Sequence, residues 1–247
     1  MEIKINVLPT PEAVAAAAAA MIREIAHCSV REKGFFTLAL SGGRTPNLLY
    51  DLLATEEYAG ELPWEQMLFF WGDERYVAPN HRDSNYGAAK ARLFNKAPIP
   101  PSNVYPMNTA QPEASEAAKL YEQTIRDVFR WRGCSGFDLT LLGMGSDGHT
   151  ASLFPASPAM SEEKLWVTTA AGPGGQTRMT ITIPLINTSE TVLFLVTGQE
   201  KRNMLTAVMV DRQEGPLKYP AAMAQGRKQT LWLVDQAAYL SVDDNSK

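Results

Sequence analysis

The chain has 247 residues, 45 % of them apolar, and 27 acidic against 23 basic side chains, for a net charge of −4. That is enough apolar material to bury one large core or two small ones without a disulfide or metal to hold it together. An acidic surface of this kind repels nucleic acid and anionic membranes, so any anionic ligand has to be met by a local cluster of cations.

In chain order, Ile3–Leu8 is the first strand candidate. Thr10-Pro11-Glu12 then open an alanine-rich helix over Pro11–His27, with Thr10 as its cap and Pro11 at its first position. The apolar run inside it, Ala13 to Ile22, is only ten residues long and is flanked by Glu12 and Arg23-Glu24. That pattern fits neither a signal peptide nor a membrane span. Further strand candidates are Phe36–Leu40, Met67–Trp71, Leu139–Leu142, Trp166–Ala170, Met179–Ile183, Val192–Val196 and Leu231–Val234. Between them lie helix candidates at Pro46–Ala54, Ser84–Phe94, Glu113–Trp131, Glu200–Val210 and Tyr219–Ala224.

Several strands are apolar without alternation, the pattern of strands covered on both faces. Strand and helix in turn predict an α/β fold: a doubly wound, mostly parallel sheet with helices on both faces. No repeat, low-complexity tract or interdomain linker interrupts the pattern. The Pro-rich stretch Ala97–Pro101 and the turn Gly172-Pro173-Gly174-Gly175 read as loops inside one domain over 1–247. Cys28 and Cys134 are far apart and lack any C-x-x-C or Cys/His metal spacing, so they read as reduced, space-filling thiols of a cytoplasmic protein.

In such a sheet ligands bind at the carboxyl ends of the strands. After Phe36–Leu40 comes Ser41-Gly42-Gly43-Arg44-Thr45-Pro46, whose paired glycines expose backbone N–H groups where a helix opens. That makes an anion nest, and Arg44 adds a full positive charge that is disfavoured beside a helix N-terminus unless an anion is near. Gly72-Asp73-Glu74-Arg75 follows Met67–Trp71, and Arg82-Asp83-Ser84-Asn85 lies further on, with Asp83 or Ser84 as a plain helix cap. Lys201 falls in the first turn expected after Val192–Val196, and Arg178 at the head of a strand. Four cations at loop positions of an acidic chain point together to a small phosphorylated substrate.

The run Gly143-Met144-Gly145-Ser146-Asp147-Gly148-His149-Thr150 carries one of only three histidines. An imidazole that titrates near neutrality, with a carboxylate two residues before it and glycines that admit a ligand to the backbone, suits proton transfer. The run also matches G-x-G-x-x-G, but Pro155 and Pro158 cut short the helix a dinucleotide site needs, and Asp147 would face a pyrophosphate. His27 reads as a helix-end residue and His81 as part of a polar loop. Ser41 is not in a G-x-S-x-G elbow, so a base that activates water fits better than a covalent serine.

Taken together, Ser41-Gly-Gly-Arg-Thr-Pro, Gly72-Asp-Glu-Arg-Tyr-Val, Asp83-Ser-Asn-Tyr and Gly143-Met-Gly-Ser-Asp-Gly-His-Thr-Ala-Ser-Leu-Phe-Pro resemble the 6-phosphogluconolactonase family over nearly the whole chain. The resemblance implies the sugar-phosphate isomerase/deaminase (Rossmann-like) fold, hydrolysis of 6-phospho-D-glucono-1,5-lactone in the oxidative pentose phosphate pathway, and no metal or organic cofactor. It implies His149 as general base with Asp147 beside it, and Arg75 with Lys201 as phosphate ligands. Ser41, Gly42, Gly43, Arg44, Asp73 and Arg178 complete the expected substrate site. A phosphorylated sugar lactone is then the partner, with no nucleic acid or membrane, and a monomer is compatible with the sequence.

Two rivals stand beside this expectation. Glucosamine-6-phosphate deaminases share the Gly-x-Gly-x-Asp-Gly-His core but continue Ile-Ala-Phe-Asn-Glu-Pro, whereas this chain reads Thr150-Ala-Ser-Leu-Phe-Pro155 and lacks the glutamate. A non-catalytic sugar-phosphate sensor would keep the pocket without turnover.

Overall fold

The structure, a computed structural model, describes residues 2–239. Six strands build one sheet: β1 (Glu2–Leu8), β2 (Phe36–Leu40), β3 (Met67–Trp71), β5 (Leu139–Leu142), β8 (Thr191–Val196) and β9 (Gln229–Asp235). Their order is β1-β9-β8-β5-β2-β3, and every neighbouring pair is parallel. Every residue of β2, β3, β5 and β8 is buried, as unalternated apolar strands require.

Helices cover both faces. Successive residues of a strand point to opposite sides, and in β3 Phe70 meets Phe129 of α5 (Ala114–Arg132) edge-on while Phe69 meets Phe94, in the π-turn Lys90–Phe94 that continues α4 (Asn85–Ala89). The first helix, α1 (Pro11–Lys33), is capped by Thr10, which accepts the Ala13 N–H, and has Pro11 in its first turn. By length and composition α1 could cross a bilayer. In the fold, Val14, Ala15, Ala18, Ala19, Ile22 and Ala26 instead form a buried stripe against the sheet and α2 (Arg44–Leu53).

Two expected strands lie elsewhere. β6 (Val167–Ala171) and β7 (Thr177–Ile181) form a separate antiparallel sheet with β4 (Asp73–Arg75), in the order β4-β7-β6. The Gly172–Gly175 turn closes the β6–β7 hairpin, and an antiparallel pair needs only such a short loop. The expected strand at Met179–Ile183 thus begins two residues earlier, and Ile183 starts the short helix α6 (Ile183–Ile186). Two further helices complete the described fold, α7 (Arg202–Glu214) and α8 (Pro220–Met223), together with the one-turn α3 (Glu56–Ala59).

The order of the sheet reverses between β2 and β5: from β2 the chain steps outward to β3, then returns to β5 and proceeds through β8 to β9. A crevice opens at such a reversal, beyond the carboxyl ends of the strands.

Candidate active site

That crevice holds a cavity of ≈ 200 Å³ lined by Ser41, Gly42 and Gly43 after β2, Asp73 and Arg75 on β4, Asn85, Gly143, Met144, Gly145, His149 and Ala151 after β5, Arg178 on β7, and Lys201 after β8. Three strand ends of the main sheet and the small antiparallel sheet therefore contribute to one site. Larger clefts exist elsewhere, but this one collects the glycine loops and the histidine.

The loop after β5 is built to hold one ring. Gly145 N–H donates to the His149 carbonyl (2.9 Å), and Gly148 N–H to the Gly145 carbonyl (3.1 Å). A Cβ at Gly145 would lie 2.1 Å from His149 Nδ1, so only glycine lets the imidazole fold back over the loop. Behind it, Gly148 has φ +83°, and a Cβ there would strike the Tyr219 ring. The Gly148 carbonyl accepts the Ala221 N–H (3.1 Å), so the Tyr219–Ala224 segment docks on the histidine loop itself.

His149 is half-buried, and its Nδ1 lies 2.5 Å from Asp147 Oδ1, which also accepts the His149 backbone N–H at 3.1 Å. Burial works to raise the Asp147 carboxyl, but the two His149 N–H groups and the imidazolium charge outweigh it and hold the group below its ordinary value. A carboxylate only accepts, so Nδ1 carries a proton, and whenever the ring is neutral its lone pair lies on Nε2.

Arg75, Arg178 and Lys201 line the same cavity as His149. Arg75 and Arg178 sit opposite each other in the β4–β7 ladder. Arg75 Nη1 donates to the Asp83 carbonyl (2.7 Å) and Arg178 Nη2 to Gln176 Oε1 (3.2 Å), yet the Nε of each is buried with no hydrogen-bond partner among the described residues. Burial, reinforced by the facing Arg75, lowers the Arg178 pKa. Orphaned buried donors on paired like charges are what an anionic ligand would satisfy. Asp73, 6 % exposed, accepts Ser152 Oγ (2.7 Å) and Asn85 Nδ2 (3.2 Å), so its carboxylate is held by neutral donors.

Glu74 points the other way and is 2 % exposed. It accepts the backbone N–H groups of Arg75, Asn85 and Tyr86 and the Ser84 hydroxyl, tying β4 to the start of α4, while burial raises its pKa against those four donors. Ser84 is the cap of α4, accepting the Gly87 N–H.

Of the residues singled out by sequence, Ser41, Gly42, Gly43, Asp73, Arg75, His149, Arg178 and Lys201 meet in one cavity, with Asp147 behind the histidine. Arg44 does not join them: its side chain is 93 % exposed and pairs with Glu200 at 3.2 Å. The acidic partner of this arginine, at the solvent-exposed start of α2, is thus the protein's own Glu200. Asn85 and Ser152 lie within the runs Asp83-Ser-Asn-Tyr and Gly143–Pro155 quoted above but were not assigned to the site from sequence. Asn85 also packs so closely on Gly42 that a Cβ there would lie 1.9 Å from its Oδ1. His27 bonds the Glu61 carbonyl (2.7 Å) and His81 accepts the Asp83 N–H (3.1 Å), and neither lines the cavity. Cys28 and Cys134 are free and half-buried. Among the described residues no group of three or more His, Cys, Asp or Glu could hold a metal ion.

Residues 9–232 match the family model described as glucosamine-6-phosphate isomerases/6-phosphogluconolactonase. A 6-phosphogluconolactonase of Synechocystis is 42 % identical over 212 residues, 85 % of this chain and 86 % of that protein. Among solved structures, a 6-phosphogluconolactonase from Thermotoga maritima superposes with a TM-score of 0.82 at 34 % identity, covering 95 % of this chain and 100 % of that one. A monomeric glucosamine-6-phosphate deaminase superposes with a TM-score of 0.78 at 20 % identity, covering 96 % and 98 %, a likeness of fold alone.

Proposed function

This chain belongs to the glucosamine-6-phosphate isomerase/6-phosphogluconolactonase family, and from that premise we propose a mechanism by which its cavity opens 6-phospho-D-glucono-1,5-lactone. It is a lactone hydrolase, acting in the oxidative branch of the pentose phosphate pathway and releasing 6-phospho-D-gluconate. The observation that carries the mechanism is the His149–Asp147 contact at a cavity that Arg75, Arg178 and Lys201 also line.

In this mechanism the phosphate lies against the cations, and their fixed positions place the ester carbonyl beside a water near His149 Nε2. The imidazole takes a proton as the water oxygen bonds to C1, and Asp147 holds the resulting imidazolium in place. The C1 oxyanion is received by backbone N–H groups of the Ser41–Gly43 turn or by an arginine, worth about 3 kcal/mol per donor. Collapse breaks the bond from C1 to the ring oxygen, and the departing alkoxide recovers the proton from His149. Acid–base catalysis of this type contributes ~10²- to 10⁴-fold, and an activated ester needs no covalent intermediate. Asp73, locked by Asn85 and Ser152, serves as an acceptor for substrate hydroxyls.

The deaminase alternative is disfavoured at one position. Where that family's sequence has a glutamate, this chain has Phe154, and its ring packs on His149 with centroids 4.7 Å apart. An apolar ring there supplies no carboxylate to assist ring opening of an amino sugar. Incubating the purified protein with each substrate separates the readings: lactone decay accelerated above its spontaneous rate, with no ammonia from glucosamine 6-phosphate, is expected. Ammonia release would overturn the assignment, and unaccelerated decay with retained 6-phosphogluconate binding would indicate a sensor.

A further inference from the structure

Lys201 sits on a turn that leaves β8, while the Ser41–Gly43 nest leaves β2, and β5 lies between those strands. At the usual spacing the two loops start about 10 Å apart. Lysine is a point charge on a flexible stem, so the placement of its backbone decides where the charge can settle.

One contact joins the loops directly. Thr45 Oγ1, on α2 two residues beyond the nest, lies 2.6 Å from Thr197 Oγ1, four residues before Lys201. Thr45 is 8 % exposed, so water does not replace this bond cheaply. The turn is held from its other side as well: Gly198 N–H donates to both oxygens of the buried Asp235 carboxylate (3.0 and 3.1 Å), and Lys201 N–H returns to the Gly198 carbonyl (3.0 Å). Gly198 takes φ +101°, a conformation that lets the chain reverse between these anchors. The parallel Arg44–Glu200 pair is solvent-exposed and adds little.

We infer that the Thr45–Thr197 hydroxyl pair is a clasp that fixes the Lys201 turn against the Ser41–Gly43 nest, making both threonines positioning residues for the substrate's phosphate. The inference rests on Lys201 being a phosphate ligand, as read above. A phosphate contact is made equally in the ground and transition states, so loosening it raises KM and spares kcat.

The test compares Thr45→Val, Thr197→Val, the double variant, Thr45→Ser and Lys201→Ala, reading kcat and KM for the lactone and Tm by calorimetry. A neutral hydrogen bond of ~0.5–1.5 kcal/mol corresponds to a KM increase of about 2- to 12-fold in each valine variant. The expected results are kcat within about 2-fold of wild type, a double variant no worse than the weaker single one, and recovery in Thr45→Ser, which restores the hydroxyl. Thr197→Val, at the more exposed partner, gives the same readout if Thr45→Val folds poorly. Unchanged KM in both valine variants, with KM raised in Lys201→Ala, overturns the clasp alone. Unchanged KM in Lys201→Ala removes the phosphate reading and the clasp with it. Additive effects, or kcat and Tm falling together without recovery in Thr45→Ser, also overturn the clasp.

Discussion

At His149 a single contact divides the labour between two ring nitrogens. Nδ1 is committed to Asp147, and that commitment leaves Nε2 free to serve as the base of the proposed mechanism. The sign of the Asp147 shift matters here. Its pKa lies below the ordinary carboxylate range, so the pair contributes stability above that range and loses it only as pH falls through the lower folded value. Across neutral pH the carboxylate therefore stays ionised. Asp147→Asn removes the charge that fixes the tautomer, and a charge-assisted bond of ~1.5–3 kcal/mol corresponds to a fall in kcat of about 10- to 100-fold. Steady-state kinetics check this, and an undiminished kcat would show that Asp147 is a bystander. The histidine, its aspartate and the glycine frame were legible because the spacing of Asp147-Gly148-His149 is local. Asn85 and Ser152 were not, since each becomes part of the site only when the fold brings it to Asp73. Arg44 illustrates the opposite limit: its charge was legible, but the glutamate that neutralises it lies 156 residues away.

At the scale of elements, the antiparallel sheet β4-β7-β6 is what turns two scattered arginines into a site, because its register sets Arg75 across from Arg178. Sequence periodicity exposes β6 and β7 as strands but neither β4 nor the antiparallel pairing. β4 is Asp73-Glu74-Arg75, three charged residues with no apolar alternation, and β7 opens on Thr177-Arg178. The parallel strands are the reverse case: unbroken apolar runs such as Met67–Trp71 are recognisable because burial on both faces leaves no room for polar positions. Burial and the like charge of Arg75 lower the Arg178 pKa, both guanidiniums have an Nε without a partner among the described residues, and we propose that an anion such as the substrate's phosphate compensates them. Inorganic phosphate at about 100 times its Kd then stabilises the fold by ~2.7 kcal/mol, a rise in Tm of roughly 5–10 °C for a chain of this size. Thermal shift with phosphate measures it. Arg178→Met is expected to flatten the response, and an equal rise in that variant would place the anion elsewhere.

On the scale of the whole molecule, the buried apolar residues of the described chain form one cluster that runs from α1 through the parallel sheet to α5 and the small sheet, including Met179 and Ile181 of β7. We propose that it behaves as a single domain, with the catalytic loop and the cation wall anchored in the same core. Calorimetry is then expected to show one transition, and two resolved transitions would divide the sheets into separately melting units. The doubly wound architecture was legible from the succession of strand and helix, and the reversal of strand order between β2 and β5 explains why the glycine-rich loops after those two strands, 100 residues apart in sequence, share one crevice.

We propose that one imidazole, His149, activates water over a phosphorylated lactone. The most direct test is His149→Ala, assayed for lactone hydrolysis at a pH where spontaneous opening is slow, alongside binding of 6-phosphogluconate. A loss of ~10²- to 10⁴-fold in kcat with product affinity retained is expected. Turnover at the wild-type rate in that variant would contradict it.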